Sequence, residues 1–194
     1  MPGEHSFAPF RVWHSRRFAA ITAPKVGHKI RRRRNEQTAA LRPVARVTSD
    51  STGSAPQGGF ADLVPELGVS SIQASLPFWR DLLGFELAYD RPDARFAYLV
   101  RGRLQVMLCE LNGRWETAEM QRPFGRGVNF QMVVDRIDPM LRALGDAKWP
   151  LYEQPNEAWY RVGDQEFGQR EFLVQDPDGY LVRFVERLGM RTPS

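Results

Sequence analysis

The sequence predicts an α+β protein made of two βαβββ repeats, whose curved mixed sheets form a cleft. Two observations carry this expectation. Leu67 and Val69 match Met132 and Val134 at an offset of 65, and Phe96 to Glu110 match Phe172 to Glu186 at an offset of 76 without a gap. In both copies short alternating apolar stretches flank one stretch of helical spacing. Each such unit leaves a curved sheet that needs a partner, so the two should pair around a shared cleft.

The elements follow in order. Leu63 to Val69 reads as a strand, and Pro65 restricts it to an edge or strand-entry position. Ser71 can cap a helix from about Ile72 to Leu83, with Leu76, Trp79, Leu82 and Leu83 on one face and Gly84 at C′. Phe85 to Tyr89 reads as a strand and Arg91-Pro92-Asp93 as a turn. Arg95 to Val100 and Leu104 to Glu110 form a hairpin across Arg101-Gly102-Arg103. In the second copy Val128 to Val134 is a strand, Asp135 or Asp138 can cap a helix ending near Leu144-Gly145, and Pro150 to Tyr152 is extended. Phe172 to Gln175 and Tyr180 to Glu186 pair across Asp176-Pro177-Asp178-Gly179. The difference between the two offsets falls on Gln154 to Gly168, which reads as a loop insertion.

Composition narrows the function. The chain has 194 residues, 42% apolar and 26% charged, and no apolar run long enough to span a membrane. Cys109 is the single cysteine, so no internal disulfide is available, and its place on an apolar strand suits a small buried hydrophobe better than a nucleophile. Residues 1–60 hold 11 Lys/Arg against 3 Asp/Glu, while 61–194 hold 16 against 20. All three histidines (His5, His14, His28) lie in the first segment, which leaves residues 61–194 without histidine-based catalysis or metal binding. With Arg31 to Arg34 and a Ser/Gly/Pro/Thr-rich stretch from Ser49 to Gly59, residues 1–60 read as a disordered basic leader and linker. Neither nucleic acid nor membrane is an expected partner. The domain is expected over 61–188, with repeats at about 62–111 and 126–187, and 189–194 as a short tail.

Two stretches resemble the vicinal oxygen chelate superfamily of glyoxalases, ring-cleaving dioxygenases and bleomycin-resistance proteins. Phe78-Trp79-Arg80-Asp81-Leu82-Leu83-Gly84-Phe85 is similar to the superfamily's helix end, and Asp176-Pro177-Asp178-Gly179-Tyr180-Leu181-Val182-Arg183-Phe184 to its closing hairpin. Members with metal chemistry carry His, Gln or Glu at four inward positions, which the resemblance places on Val64, Met107, Asn129 and Arg183. Valine cannot ligate, methionine is a poor ligand for such metals and arginine repels a cation. The expectation is no metal, no cofactor and no catalytic residue.

The resemblance then points to the bleomycin-resistance branch, whose members sequester an antibiotic unmodified in clefts of a homodimer. It implies a cytoplasmic small-molecule binder, with an atypical lyase, isomerase or dioxygenase-like enzyme as the alternative. The expected ligand residues are Phe96, Tyr98, Met107, Trp115, Asn129, Trp159, Phe167, Glu171 and Arg183. Aromatic faces would stack on a flat, cationic ligand; Arg183 would repel it unless paired, with Glu171 as the candidate partner, and an unpaired Arg183 would favour an anionic or carboxylate-bearing ligand instead. Phe167-Gly168 matches the place where this branch often carries Trp-Gly.

Overall fold

The computed structural model describes residues 51–193; the leader read from residues 1–50, and Ser194, lie outside the described residues. A short strand β1 (Thr52–Gly53) precedes the first repeat, which runs β2 (Glu66–Val69), α1 (Ile72–Pro77), β3 (Glu86–Arg91), β4 (Phe96–Arg101) and β5 (Leu104–Glu110). The second repeat runs β6 (Asn129–Val134), α2 (Asp138–Asp146), β7 (Leu151–Val162), β8 (Gln165–Gln175) and β9 (Leu181–Arg191). The sheet orders are β1-β3-β4-β5-β2 and β6-β9-β8-β7. In each repeat the first strand runs parallel to the last and the other pairings are antiparallel. These are the two mixed sheets the duplication predicts, with β2 at an edge behind Pro65.

One face of each sheet is apolar because alternate strand residues point the same way. Leu67, Val69, Ala97, Leu99, Val106 and Leu108 from the first sheet share one core with Met132, Phe172, Val174, Val182 and Phe184 from the second. Trp79 and Leu83, beyond α1, and Ile137, Met140 and Leu144, around α2, complete it. The opposite, helix-free faces carry the polar and aromatic residues of interest.

The helix starts show why Glu110 and Glu186 coincide in the duplication. The Ile72 N–H donates to Glu110 Oε2 at 3.2 Å, and the Ile137 N–H donates to Glu186 Oε2 at 3.0 Å. Each carboxylate reaches from the last strand of its repeat to satisfy a free donor at its helix start. The Ile72 bond, with Arg95, holds the Glu110 carboxyl below the usual range. Ser71 caps α1 as expected, through Ala74 N. Neither Asp135 nor Asp138 caps α2, whose N-cap is Ile137. The expected single helix to Leu83 also changes character: after Pro77 the chain widens into a π turn over Phe78–Leu82, and Leu83 N donates to Phe78 O. Proline supplies no N–H to the helical ladder, and the wider turn is a common accommodation.

Four boundaries differ from the sequence reading: the first is that β2 begins at Glu66, after Pro65, and not at Leu63. Gln154 to Gly168 is not a loop but the outer half of the β7–β8 hairpin, which turns between Val162 and Gln165. β9 continues to Arg191, past the expected end at 188, because it pairs along the extended β8 as far as Glu166. Residues 51–60, read as linker, pack on the first sheet. β1 pairs with Tyr89 and Asp90, Ser54 N donates to Ala88 O, and Gln105 holds both Gly59 O and Ala61 N. Phe60 stands edge-on to Tyr89 and Tyr98. Replacing Phe60 by Ala should lower stability by about 1 kcal/mol, the scale of aromatic pair contacts, as read by urea denaturation; no change would show that this segment contributes nothing.

Candidate functional site

Strand register puts Glu66, Gly68, Phe96, Tyr98, Gln105, Met107 and Cys109 on the helix-free face of the first sheet. Phe96 and Tyr98 are 7% and 2% exposed, which removes them as free stacking platforms. Tyr98 stacks on Tyr89 at 4.9 Å with Phe60 against its edge, and its hydroxyl bonds Gln105 Oε1 at 2.5 Å. Arg91 sits over Phe96 at 4.8 Å. The sequence reading missed Phe60 because a single aromatic in a Gly/Ser stretch carries no periodicity.

On the second sheet, Asn129, Gln131, Leu173, Glu171 and Arg183 share the helix-free face, with Tyr160, Phe167 and Met190 in one transverse row farther out. Arg183 and Glu171 form the centre of this face. Arg183 Nε and Nη2 both donate to Glu171 Oε2, at 2.9 and 2.5 Å, and Gln169 Nε2 donates to the same oxygen. Tyr160 bonds Glu171 Oε1 through its hydroxyl at 3.3 Å. Glu171 is 5% exposed. Burial pulls the Arg183 guanidinium down, but the Glu171 carboxylate outweighs it and the group titrates above its ordinary value. The pairing expected from the sequence is therefore present, and the face presents a neutralised ion pair.

Trp159 does not join this group. Register places it opposite Gly168 on the other face of the hairpin, on the side of Arg170 and Asp138. A Cβ at Gly168 would come within 2.6 Å of the indole, so glycine lets the ring lie flat on the strand. Arg191 stacks on that ring at 3.9 Å. Phe167, the other member of the expected pair, lies on the helix-free face and is 41% exposed. Trp115, in the connection between repeats, is 61% exposed and carries the Arg114 guanidinium 4.5 Å from its ring.

The metal-ligand positions separate by sheet: Met107 belongs to the first, Asn129 and Arg183 to the second, and Val64 lies just before β2. Their donor chemistry does not fit a divalent ion: valine offers no donor, methionine is a poor one for such ions, and the Arg183 guanidinium repels a cation and already neutralises Glu171 beside it. Among the described residues no group of three or more His, Cys, Asp or Glu is arranged to hold a metal. No described helix is long and apolar enough to cross a membrane.

The Asp-Pro-Asp-Gly turn is structural. Asp176 Oδ1 accepts from Asp178 N and Tyr180 N, while Asp178 Oδ2 accepts from Ser70 N and its Oδ1 from Arg122. Gly179 takes φ +97° against Pro123, where a Cβ would clash. Burial pushes the Asp176 carboxyl up to about 6, against the opposing backbone bonds. The folded state thus keeps a proton that the unfolded chain releases near pH 4, and stability falls as pH rises from about 4 to 6. Asp176→Asn, which keeps the accepting Oδ1, should remove about 3 kcal/mol of that fall. Urea midpoints of both proteins across pH 4–7 check this; parallel curves would contradict it.

Comparison with known proteins agrees with this architecture. Residues 60–184 match the Glyoxalase/Bleomycin resistance protein/Dioxygenase superfamily. A bleomycin resistance protein of Geobacillus stearothermophilus is 27% identical over 135 residues, covering 64% of this chain and 96% of that protein. A superfamily member from Vibrio splendidus 12B01 is 36% identical over 63% of this chain and 95% of its own, with a TM-score of 0.30. TioX from Micromonospora sp. ML1 shares the fold at a TM-score of 0.50, with 20% identity over 66% of this chain and all of its own (100%). With the family match spanning both repeats and their shared core, the chain belongs to the Glyoxalase/Bleomycin resistance protein/Dioxygenase superfamily.

Proposed function

We propose that this protein binds a small molecule without metal and without changing it, in the manner of bleomycin-resistance proteins, and that it works as a cytoplasmic homodimer. The observation that carries the reading is the Arg183–Glu171 ion pair, which stands where metal-dependent relatives need a ligand. A guanidinium already held by a buried carboxylate is a poor acid, base or Lewis acid but a good fixed surface. Phe167, Asn129 and Arg183 form the ligand face of the second repeat, with the buried Glu171 holding Arg183 in place, and Met107 and Trp115 contribute from the first. Tyr98, beneath Phe60, and Phe96, beneath Arg91, support the first face, and Trp159 stiffens the hairpin that carries Phe167. Because Arg183 is neutralised, the face tolerates a cationic ligand, and the acidic excess of residues 61–194 attracts one.

A second copy suits the row Tyr160, Phe167 and Met190, which stays exposed on the arm of the second sheet. The deciding experiment is calorimetric titration with bleomycin, followed by mass spectrometry of the recovered drug. Stoichiometric binding with unaltered drug is expected, and Phe167→Ala should weaken it by about 1–3 kcal/mol, the scale of a stacking contact. Recovery of a modified drug would make the protein an enzyme; absence of heat would remove this ligand class.

A further inference from the structure

A hollow of about 380 Å³ lies on the helix-free face of the first sheet, between the ends of β2 and β5 and the chain that follows β5. Its size is at the lower end of the range for small-molecule sites. Leu111, Met120 and the Tyr180 ring line it with apolar surface, and Tyr180 is fixed there by its hydroxyl bond to Gly68 O at 3.1 Å. The acidic side chains lining it are Glu66, Glu110 and Glu116, and no lysine or arginine lines it.

The three carboxylates are not equivalent. Glu110 is committed to Arg95 and to the start of α1. Glu116 braces its own loop by accepting from Asn112, Gly113 and Trp115 N–H groups, which keeps its carboxyl below the usual range and charged. Glu66 is exposed and makes no ion pair among the described residues. Burial first, then the charge of Glu66 and its hydrogen bond with the thiol, then the charge of Glu116, push the Cys109 thiol up against the opposing charge of Arg114, so the thiol stays protonated beside the Glu66 carboxylate. The Trp115 ring at the rim already holds one guanidinium, that of Arg114. An aromatic face beside an unpaired carboxylate selects a cation with a flat apolar body.

We infer that this hollow is a binding site for a small organic cation, an amidinium or ammonium carried on an aromatic ring, with Glu66 taking the charge and Trp115, Met120 and Tyr180 the ring. The inference rests on the small-molecule-binding reading and adds to it a site and a ligand class.

Cys109 lines the hollow and is the chain's single cysteine, so its alkylation reports occupancy without ambiguity. The full chain is treated with iodoacetamide at alkaline pH, alone or with benzamidine, benzamide or benzoate at one common concentration, about four times the benzamidine dissociation constant, and followed by intact mass. Benzamidine should slow alkylation about fivefold, benzamide less than about twofold, and benzoate not at all, because a single charge contact of this kind is worth roughly that factor. Glu66→Gln, an exposed substitution, should abolish the difference between benzamidine and benzamide, each rate being compared within the same variant. Calorimetric titration of benzamidine reads the same site whatever the thiol's reactivity, and Trp115→Ala should weaken it about fivefold. Equal protection by cation and neutral isostere, or no binding of benzamidine by either method, overturns the inference. Failure here with bleomycin still bound removes the hollow alone; failure of both removes the proposed function.

Discussion

Replacing Arg183 by Met should lower the unfolding free energy by about 3 kcal/mol at pH 7, because it strands a buried carboxylate. Glu171 receives two bonds from Arg183 and one from Gln169, and only the Tyr160 hydroxyl serves its other oxygen. Once the guanidinium is gone, neutral donors remain for a charge with little access to water. The double variant Arg183→Met, Glu171→Gln should recover most of the loss, since two neutral groups of similar shape carry no desolvated charge. Urea denaturation of the two single variants and the double variant measures the coupling. A loss below about 1 kcal/mol in Arg183→Met would place the pair among exposed ion pairs and remove its structural role.

Asp178→Ala should cost a comparable amount, about 3 kcal/mol, through a different cause. Asp178 is 1% exposed and joins the two repeats: it accepts from Ser70 N at 2.9 Å and from Arg122 at 2.7 Å. Truncation leaves the Ser70 N–H without its partner and frees Arg122 from its buried carboxylate. Asp178→Asn should cost less, since its oxygen still accepts from one donor. Thermal unfolding compared across the two variants separates loss of shape from loss of charge; equal effects would show that the charge carries the whole contribution and the remaining acceptor none.

Most of the fold was legible in the sequence because duplication fixes register twice. Met132 and Val134 confirm the inward face that Leu67 and Val69 set, and Glu110 and Glu186 coincide in the duplication, although only the structure shows that they serve the two helix starts. The misses have local causes. Pro77 carries no mark in the helical spacing of its neighbours, yet the chain answers it with a π turn. Gln154 to Gly168 is rich in charge and amide groups and was read as a loop, yet cross-strand pairing outweighs its weak propensity. That mistake put Trp159 beside Phe167, whereas opposite strand parity separates them. Gly168 was a signal for it, since a glycine within a strand marks the close approach of a ring. Of the candidate residues, the pairing of Arg183 with Glu171 could be read from their types; the burial of Phe96 and Tyr98 could not, because Phe96 is covered by Tyr89 and Arg91 and Tyr98 by Tyr89 and by Phe60 from outside both repeats.

The central claim is that an ion pair has replaced a metal centre in this member of the superfamily. Elemental analysis of the purified full chain, with thermal unfolding repeated in zinc, nickel, manganese and iron(II), tests it most directly. Far less than one metal per chain and an unchanged midpoint in every ion are the predicted result, because a ligand bound only by the folded state must raise the midpoint. One tightly held metal per chain, lost when Met107 or Asn129 is replaced by Ala, would contradict it.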